Sequence, residues 1–154
     1  MSSLPLMLIL IGLDQFSKSY FHLFLKNKIN MTYKVTSFLS IVHAWNYGIS
    51  FGLFSEYFHY SNYAFLIINC LIVGYLIAVH NASDSGIQRV GICFIVGGAV
   101  GNLIDRILKG AVFDFIHLHY KEYNFPAFNV ADAFINIGVA ILIIYLFLSP
   151  KRNP

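Results

Sequence analysis

Two aspartates, Asp114 and Asp132, are the strongest candidates for chemistry in this sequence. Asp114 lies among Phe113, Phe115 and Ile116, where an unpaired buried carboxylate would be costly. Two carboxylates about 4 Å apart repel by about 4 kcal/mol at an effective dielectric constant of 20, so such a pair shares one proton. One acid and one base then exist at working pH. The pair could activate water, attack an amide carbonyl and protonate the leaving nitrogen.

Both aspartates also have simpler explanations. Asn129 could cap a helix that begins nearby, and an acid three residues later favours the positive end of the helix dipole, which would account for Asp132. Asp114 with His117 and His119 forms a rival set, because aspartate and histidine bind metals at short spacing. That spacing is loose and no fourth ligand is evident. Histidines on a wet interfacial strand or helix are the simpler interpretation, so we expect no metal.

The composition predicts a single membrane domain spanning residues 1–154. Of these residues 58% are hydrophobic and 11% are charged, against about 25% charged in soluble domains. The mean hydropathy is +0.68. No cluster of lysines and arginines suggests a nucleic-acid partner. The two cysteines, Cys70 and Cys93, lie in apolar runs and are typical of small buried hydrophobic residues.

Four apolar stretches have about the 20 residues needed to cross a hydrocarbon core of about 30 Å. They cover about residues 4–25, 61–80, 88–108 and 131–148. Each predicts a helix, because the backbone must satisfy its own hydrogen bonds in lipid. Four spans would put both termini on one side and the segments of about 26–60 and 109–130 on the other. Alternation of residue types between Met31 and Trp45 predicts short strands on the membrane surface.

The predicted topology brings the two aspartates to the same face of the membrane. Asp114 follows the third stretch and Asp132 opens the fourth, so antiparallel neighbouring helices would bring them together.

The distribution of lysines and arginines predicts on which side of the membrane the termini lie. The terminal side carries Arg89, Lys151 and Arg152, whereas the other side carries Lys26, Lys28, Lys34, Lys109 and Lys121. The positive-inside rule would then place the termini outside.

Charged side chains inside the stretches need partners, since each costs about 2.5–3.5 kcal/mol at mid-helix. Asp14 and Lys18 lie one turn apart in the first stretch. They could be a mutually neutralising pair or the support of an active site. Asn102 and Arg106 lie one turn apart in the third stretch, and Asp105 beside them could be an ordinary interfacial charge.

Two other kinds of protein remain open at this point. Intramembrane acids also relay protons, so a small proton-coupled transporter is the main alternative. Transporters often contain internal repeats, and this sequence shows none. A non-enzymatic membrane scaffold is the second alternative, and it leaves Asp114 unexplained.

Five polar motifs follow one another along the chain. They are Asp-Gln-Phe-Ser-Lys at 14–18, Asn-Tyr-Gly-Ile-Ser-Phe-Gly at 46–52, Gly-Gly-Ala-Val-Gly-Asn-Leu-Ile-Asp-Arg at 97–106, Gly-Ala-Val-Phe-Asp-Phe-Ile at 110–116 and Phe-Asn-Val-Ala-Asp at 128–132. Together they resemble the motifs of the lipoprotein signal peptidase (type II signal peptidase) family. Their order and the four-span layout agree with the family, so the resemblance covers nearly the whole chain. Ile49 and Ser50 stand where alanines are common, and Asn124-Phe125 stands where a tryptophan often precedes the proline. These departures concern loop contacts.

The resemblance implies an all-α membrane protein with four transmembrane helices, a small extracytoplasmic β-cradle and a short interfacial helix. It implies an aspartic endopeptidase that cleaves the signal peptide of diacylglyceryl-modified bacterial prolipoproteins just before the lipidated cysteine. The protein would lie in the bacterial cytoplasmic (inner) membrane, with both termini cytoplasmic and the active site near the outer face. We prefer this orientation to the charge count, because the extra lysines lie in a structured outer segment.

The resemblance also assigns roles to individual residues. The catalytic residues would be Asp114 and Asp132; the substrate-binding residues would be Asn46, Gly48, Asn102, Arg106 and Asn129; the supporting residues would be Asp14, Lys18 and Asp105. No metal or organic cofactor is implied. The expected partners are the lipidated prolipoprotein and membrane lipid, with no nucleic acid, and the expected state is a monomer.

Overall fold

Four long helices and a small sheet make up the described part of the chain. The structure is a computed structural model that describes residues 3–47 and 58–148. The elements in chain order are α1 (Leu4–Leu25), β1 (Thr32–Lys34), β2 (Leu39–Asn46), α2 (Phe58–Ala82), α3 (Gly86–Lys109), β3 (Val112–Tyr120), β4 (Tyr123–Asn124) and α4 (Val130–Leu148). A 3-10 turn at Ile29–Met31 connects α1 to β1. The four predicted helices therefore form, with ends within a few residues of the expected bounds.

Three helices of the described residues are long and apolar enough to cross a membrane. They are Tyr63–Ala82 within α2, Gly86–Lys109 and Val130–Leu148. The chain is therefore a multi-pass membrane protein. Helix α1 has 22 residues, but Asp14, Gln15 and Lys18 lower its apolar character. Its crossing of the membrane stays a prediction.

Helix α3 ends so that the chain can turn sharply toward Asp114. Ser85 caps the start of the helix, where its side chain accepts a hydrogen bond from the Gln88 N–H, and Gly110 caps the end. Gly110 adopts the left-handed conformation, with a φ of 75°, and its N–H donates to the Arg106 carbonyl. Glycine tolerates this conformation without a steric penalty, so the C-terminal cap leads directly into β3.

Glycines let α3 approach its neighbours closely. A Cβ atom at Gly101 would lie 2.5 Å from Asp14 Oδ2 in α1, and one at Gly97 would lie 2.8 Å from the Leu10 Cβ. A Cβ atom at Gly98 would collide with the Ala131 carbonyl in α4. These glycines therefore permit close helix packing. The approach at Gly101 also brings α1 polar side chains against α3.

The strands form one antiparallel sheet in the order β1-β2-β3-β4. Asp114 in β3 pairs with Ala44 in β2, and Phe113 pairs with Trp45. Successive side chains point to opposite faces, so Asp114 and Phe113 lie on different sides of the sheet. Phe113 and Phe115 pack against Leu25 at the end of α1. The expected strands between Met31 and Trp45 are confirmed, whereas the extracytoplasmic location of the sheet and the short interfacial helix stay predictions.

Candidate active site

The Asp114 carboxylate is buried and held by two side-chain amides. Its exposed fraction is 2%. Asn129 Nδ2 donates to Asp114 Oδ1 at 2.6 Å, and Asn46 Nδ2 donates to Asp114 Oδ2 at 3.0 Å. Asn46 comes from the end of β2 and Asn129 precedes α4. Two segments outside β3 therefore fix the orientation of this carboxylate.

The Asp132 carboxylate accepts one hydrogen bond from a neighbour in sequence and one from a distant helix. The Asn129 N–H donates to Asp132 Oδ2 at 3.0 Å, and the Asp132 N–H donates to Asn129 Oδ1 at 3.0 Å. The predicted cap at the start of α4 is thus confirmed as a reciprocal pair. The other carboxylate oxygen accepts Asn102 Nδ2 at 2.9 Å. Capping therefore accounts for only one of the two oxygens.

Asn129 joins the two aspartates, because its side-chain amide donates to Asp114 while its backbone N–H donates to Asp132. The two carboxyl groups are close enough for their charges to interact. Burial, and then the negative charge of Asp132, raise the pKa of the Asp114 carboxyl to about 6. The amides of Asn46 and Asn129 and the positive charge of Lys18 oppose this shift. The pair therefore holds a proton at a pH where an ordinary aspartate is ionised.

A fully buried lysine organises the polar groups behind the two aspartates. Lys18 Nζ lies 2.8 Å from Asp14 Oδ2 and 3.0 Å from Asp105 Oδ2. It also donates to Asn102 Oδ1 at 2.8 Å, and the same oxygen accepts Asn129 Nδ2 at 3.2 Å. Because its oxygen faces two donors, the Asn102 side chain must direct its NH₂ group toward Asp132.

The two aspartates beside Lys18 also bind backbone N–H groups next to Asp114 and Asp132. Asp14 Oδ1 accepts the Ala131 N–H at 2.9 Å, one residue before Asp132. Asp105 Oδ2 accepts the Phe113 N–H at 3.4 Å, one residue before Asp114. Each supporting carboxylate therefore anchors the segment that carries one of the candidate catalytic residues.

Arg106 completes the charge balance of the cluster. Its side chain is 8% exposed, and its guanidinium carbon lies 5.2 Å from the Phe65 ring centroid. The charges of Asp114 and Asp132 both act on it. The cluster contains three cations and four carboxylates: Lys18, Lys109, Arg106, Asp14, Asp105, Asp114 and Asp132. One proton shared by Asp114 and Asp132 makes the set neutral.

Nearly every predicted site residue lies in this cluster. Gly48, with the rest of the motif segment 48–52, lies outside the described residues. The sequence interpretation missed two contributors. Lys109 bonds Asp105 Oδ1 at 2.8 Å, and Gln15 Nε2 donates to the Gly101 carbonyl at 2.9 Å. The four-residue spacing from Asp105 to Lys109 was the available signal for the first.

The metal alternative finds no support in the geometry. Asp114 lies on one face of β3, whereas His117 and His119 lie on the other. His119 Nε2 lies 3.0 Å from Ser40 Oγ, so its ring is engaged by the neighbouring strand. In residues 3–47 and 58–148, no group of three or more His, Cys, Asp or Glu side chains is arranged to hold a metal ion.

The fold places this chain among bacterial membrane enzymes. Two solved structures, each described as a bacterial membrane enzyme obtained by the in meso method, share the fold. The structure at 2.3 Å resolution has a TM-score of 0.80 at 31% identity, over 99% of this chain and 93% of the other. The structure at 1.9 Å also has a TM-score of 0.80, at 32% identity, over 96% and 94% of the two chains.

The sequence model of the signal peptidase (SPase) II family matches residues 6–148, and the chain belongs to this family. A lipoprotein signal peptidase of Rickettsia felis is 57% identical over 134 residues, which cover 87% of this chain and 68% of the relative. One from Rickettsia bellii is 51% identical over 144 residues, or 94% and 73% of the two chains. The chain is therefore a peptidase, which decides against the transporter and scaffold alternatives.

Proposed function

We propose that this protein is an aspartic endopeptidase that cleaves the signal peptide of diacylglyceryl-modified bacterial prolipoproteins, just before the lipidated cysteine. We infer the aspartic catalytic type from the pair of carboxyl groups, Asp114 and Asp132, which are linked through Asn129. The substrate class follows the names of the relatives, which are lipoprotein signal peptidases. No cofactor is needed by this mechanism.

The proposed reaction uses one shared proton and one water molecule. The ionised carboxylate takes a proton from water, and the water oxygen attacks the carbonyl carbon of the scissile amide. The protonated carboxyl donates its proton to the leaving nitrogen, which departs with the electron pair of the broken C–N bond. Asp114 and Asp132 act as a coupled pair, so the two roles belong to the pair and not to a fixed residue.

Substrate positioning is assigned to the polar groups around the pair. Arg106 offers a planar fork of donors suited to backbone carbonyls or to the ester oxygens of the lipid. Its contact with Phe65 in α2 supports this role, because the guanidinium then lies between polar and apolar surroundings. Asn46, Asn102 and Asn129 would orient the two carboxyl groups toward the substrate, and Gly48 is proposed to contact its backbone.

We place the protein in the bacterial cytoplasmic membrane as a monomer, with α1 as a fourth span. The full burial and pairing of Asp14 and Lys18 support this, because paired charges cost less inside a bilayer. Four spans put both termini on one side of the membrane, which we propose is the cytoplasm. The sheet, Asp114 and Asp132 would then lie near the outer face, where a diacylglyceryl tail could remain in the lipid while the peptide reaches the site.

The function is tested with the purified protein and a diacylglyceryl-modified prolipoprotein. We expect a shortened product whose new N-terminus is the lipidated cysteine, detected by mass spectrometry. The matched control is the same precursor without the lipid, which should remain intact. Cleavage of both precursors at equal rates, or cleavage at another bond, would show that the proposed specificity is wrong.

The proposed topology predicts the accessibility of Thr36, between β1 and β2, and of Asn124, in β4. Single cysteines at Thr36 and Asn124, in a background lacking Cys70 and Cys93, should react with an impermeant thiol reagent on intact spheroplasts. A cysteine at Asp84, between α2 and α3, should react only after the membrane is disrupted. Labelling with the opposite pattern would place the sheet in the cytoplasm.

The proton shared by the two aspartates predicts a bell-shaped pH profile. With a pKa of about 6 for Asp114, the pair keeps its proton below about pH 6 and loses it as the pH rises. The value of kcat/KM should therefore fall above that pH by up to about tenfold per unit, and fall again in acid when both groups are protonated. Asn46 favours the charged form of Asp114. Asn46→Ala should consequently move the alkaline limb of the profile to higher pH. If kcat/KM of the unmodified protein does not change between pH 5 and 9, the two aspartates do not act as a shared-proton pair.

A further inference from the structure

A groove of about 500 Å³ lies beside α1, away from the two aspartates. Its lining residues are Ser19, His22, Leu23, Trp45 and Lys109, and it is called the Trp45 groove below. Trp45 pairs with Phe113 across the sheet, whereas Asp114 pairs with Ala44. Because neighbouring strand residues point to opposite faces, the Trp45 groove and the Asp114 carboxylate are on different sides of the sheet.

The charged side chain in the lining of the Trp45 groove is basic. Lys109 Nζ lies 6.0 Å from the Trp45 ring centroid, and Lys109 shares the Asp105 carboxylate with Lys18. The charged and titratable groups that act on His22 are His43, Lys109 and Lys26, and none of them is acidic. Lys109 in the lining, with Lys26 acting on His22, favours an anion over a metal cation in the groove.

The two histidines add an adaptable donor. His22 Nδ1 lies 3.0 Å from His43 Nε2, and the two ring centroids are 5.0 Å apart. One of these two nitrogens donates to the other, so the pair can carry one positive charge with this hydrogen bond intact. An anion in the Trp45 groove would stabilise that charged form. The His22–His43 pair therefore complements Lys109.

An exposed apolar stripe continues from the groove along α1. Leu23, Tyr20, Phe16, Leu13 and Ile9 are all exposed, with fractions between 51% and 71%. They are separated alternately by three and four residues, so they lie on one face of the helix. The stripe begins at the groove, where Leu23 belongs to both. Tryptophan at such a boundary is typical of the interface between headgroups and hydrocarbon.

We infer that the Trp45 groove binds the phosphate headgroup of an anionic phospholipid in the outer leaflet, with an acyl chain along the α1 stripe. Lys109 and the His22–His43 pair face the phosphate, and Trp45 lies at the level of the headgroup. The site is separate from the proposed catalytic pair. It depends on the proposed crossing of the membrane by α1 and not on the peptidase mechanism.

Trp45 is the only tryptophan in the sequence, so its fluorescence reports directly on the groove. The probe is dibrominated phosphatidylglycerol, added to the full-length protein in a neutral detergent. We expect saturable quenching of the Trp45 emission at a lower lipid fraction than with dibrominated phosphatidylcholine, which has no net charge. Equal quenching by the two lipids would contradict the proposal. Inorganic phosphate at the same concentration should not restore the emission, and restoration would identify a free-anion site instead.

Variants separate this site from general attraction to charged lipid. His22→Gln and Lys109→Gln should each raise the half-quenching lipid fraction about fivefold, as expected for losing about 1 kcal/mol per basic group. Lys34→Gln removes a lysine from β1 outside the groove lining and should leave the curve unchanged. Asp114→Asn should bind the lipid as the parent protein does, whether or not the peptidase proposal is correct. An equal shift by all three substitutions of basic residues would overturn the inference.

Discussion

Replacing Asp114 or Asp132 with asparagine should reduce prolipoprotein cleavage by about 10²–10⁴-fold or more while the protein stays folded. Asparagine has nearly the shape of aspartate, so packing around the buried 114 position should survive. The amide cannot take a proton from water or deliver one to the leaving nitrogen. Cleavage of the lipidated precursor, followed by gel mobility and mass spectrometry, measures the loss.

Three controls make this result specific to the shared-proton pair. The double variant should be little worse than either single variant, because residues that act as one unit lose their function together. Asp84→Asn removes an exposed carboxylate between α2 and α3 and should retain full activity. Thermal unfolding should show that each variant remains folded. A folded Asp114→Asn or Asp132→Asn protein with near-normal cleavage would rule out the aspartic mechanism.

The elements and the local contacts of the site could be predicted from the sequence, because they depend on short-range patterns. Apolar runs of about 20 residues predicted all four helices. The cap at the start of α4 was also predictable, since Asn129 and Asp132 are three residues apart and bond each other directly. The pairing of Asp14 with Lys18 follows in the same way from one helical turn.

The long-range contacts could not be predicted, because they depend on how each helix is rotated against its neighbours. Lys18 meets Asp105 only because α1 and α3 approach closely at Gly101. The orientation of the Asn102 amide follows from Lys18 on one side and Asp132 on the other, and no spacing rule gives it. The His22–His43 contact likewise joins a helix to a strand through the sheet register.

Substituting Lys18 with methionine should have the largest effect on stability. Lys18 is fully buried and lies within 3.0 Å of two carboxylates that are themselves fully buried. Removing one member of a buried ion pair leaves an uncompensated charge, which costs about 3–5 kcal/mol. Methionine is an unbranched side chain that fills most of the same space, so most of the loss comes from charge. The measurement is the free energy of unfolding by denaturant in a constant detergent.

Lys109→Met provides the comparison, because it removes a lysine from the same Asp105 carboxylate. The Lys109 side chain is 37% exposed, so water screens its ion pair. Its loss should cost no more than about 1 kcal/mol, as for partly exposed pairs. If the two substitutions destabilise the protein equally, burial of Lys18 is not what makes its ion pairs important.

A second substitution distinguishes charge from packing at Lys18. In the Lys18→Met protein, Asp14 would keep a buried carboxylate with no cation beside it, whereas Asp105 would keep Lys109. Adding Asp14→Asn removes that charge and retains an oxygen that can accept the Ala131 N–H. The double variant should therefore unfold at higher denaturant concentration than Lys18→Met alone. Its cleavage activity should stay low, because Asn102 has still lost the shorter of the two hydrogen bonds that direct its NH₂ group toward Asp132. A double variant less stable than Lys18→Met would show that the lysine acts through packing and not through charge.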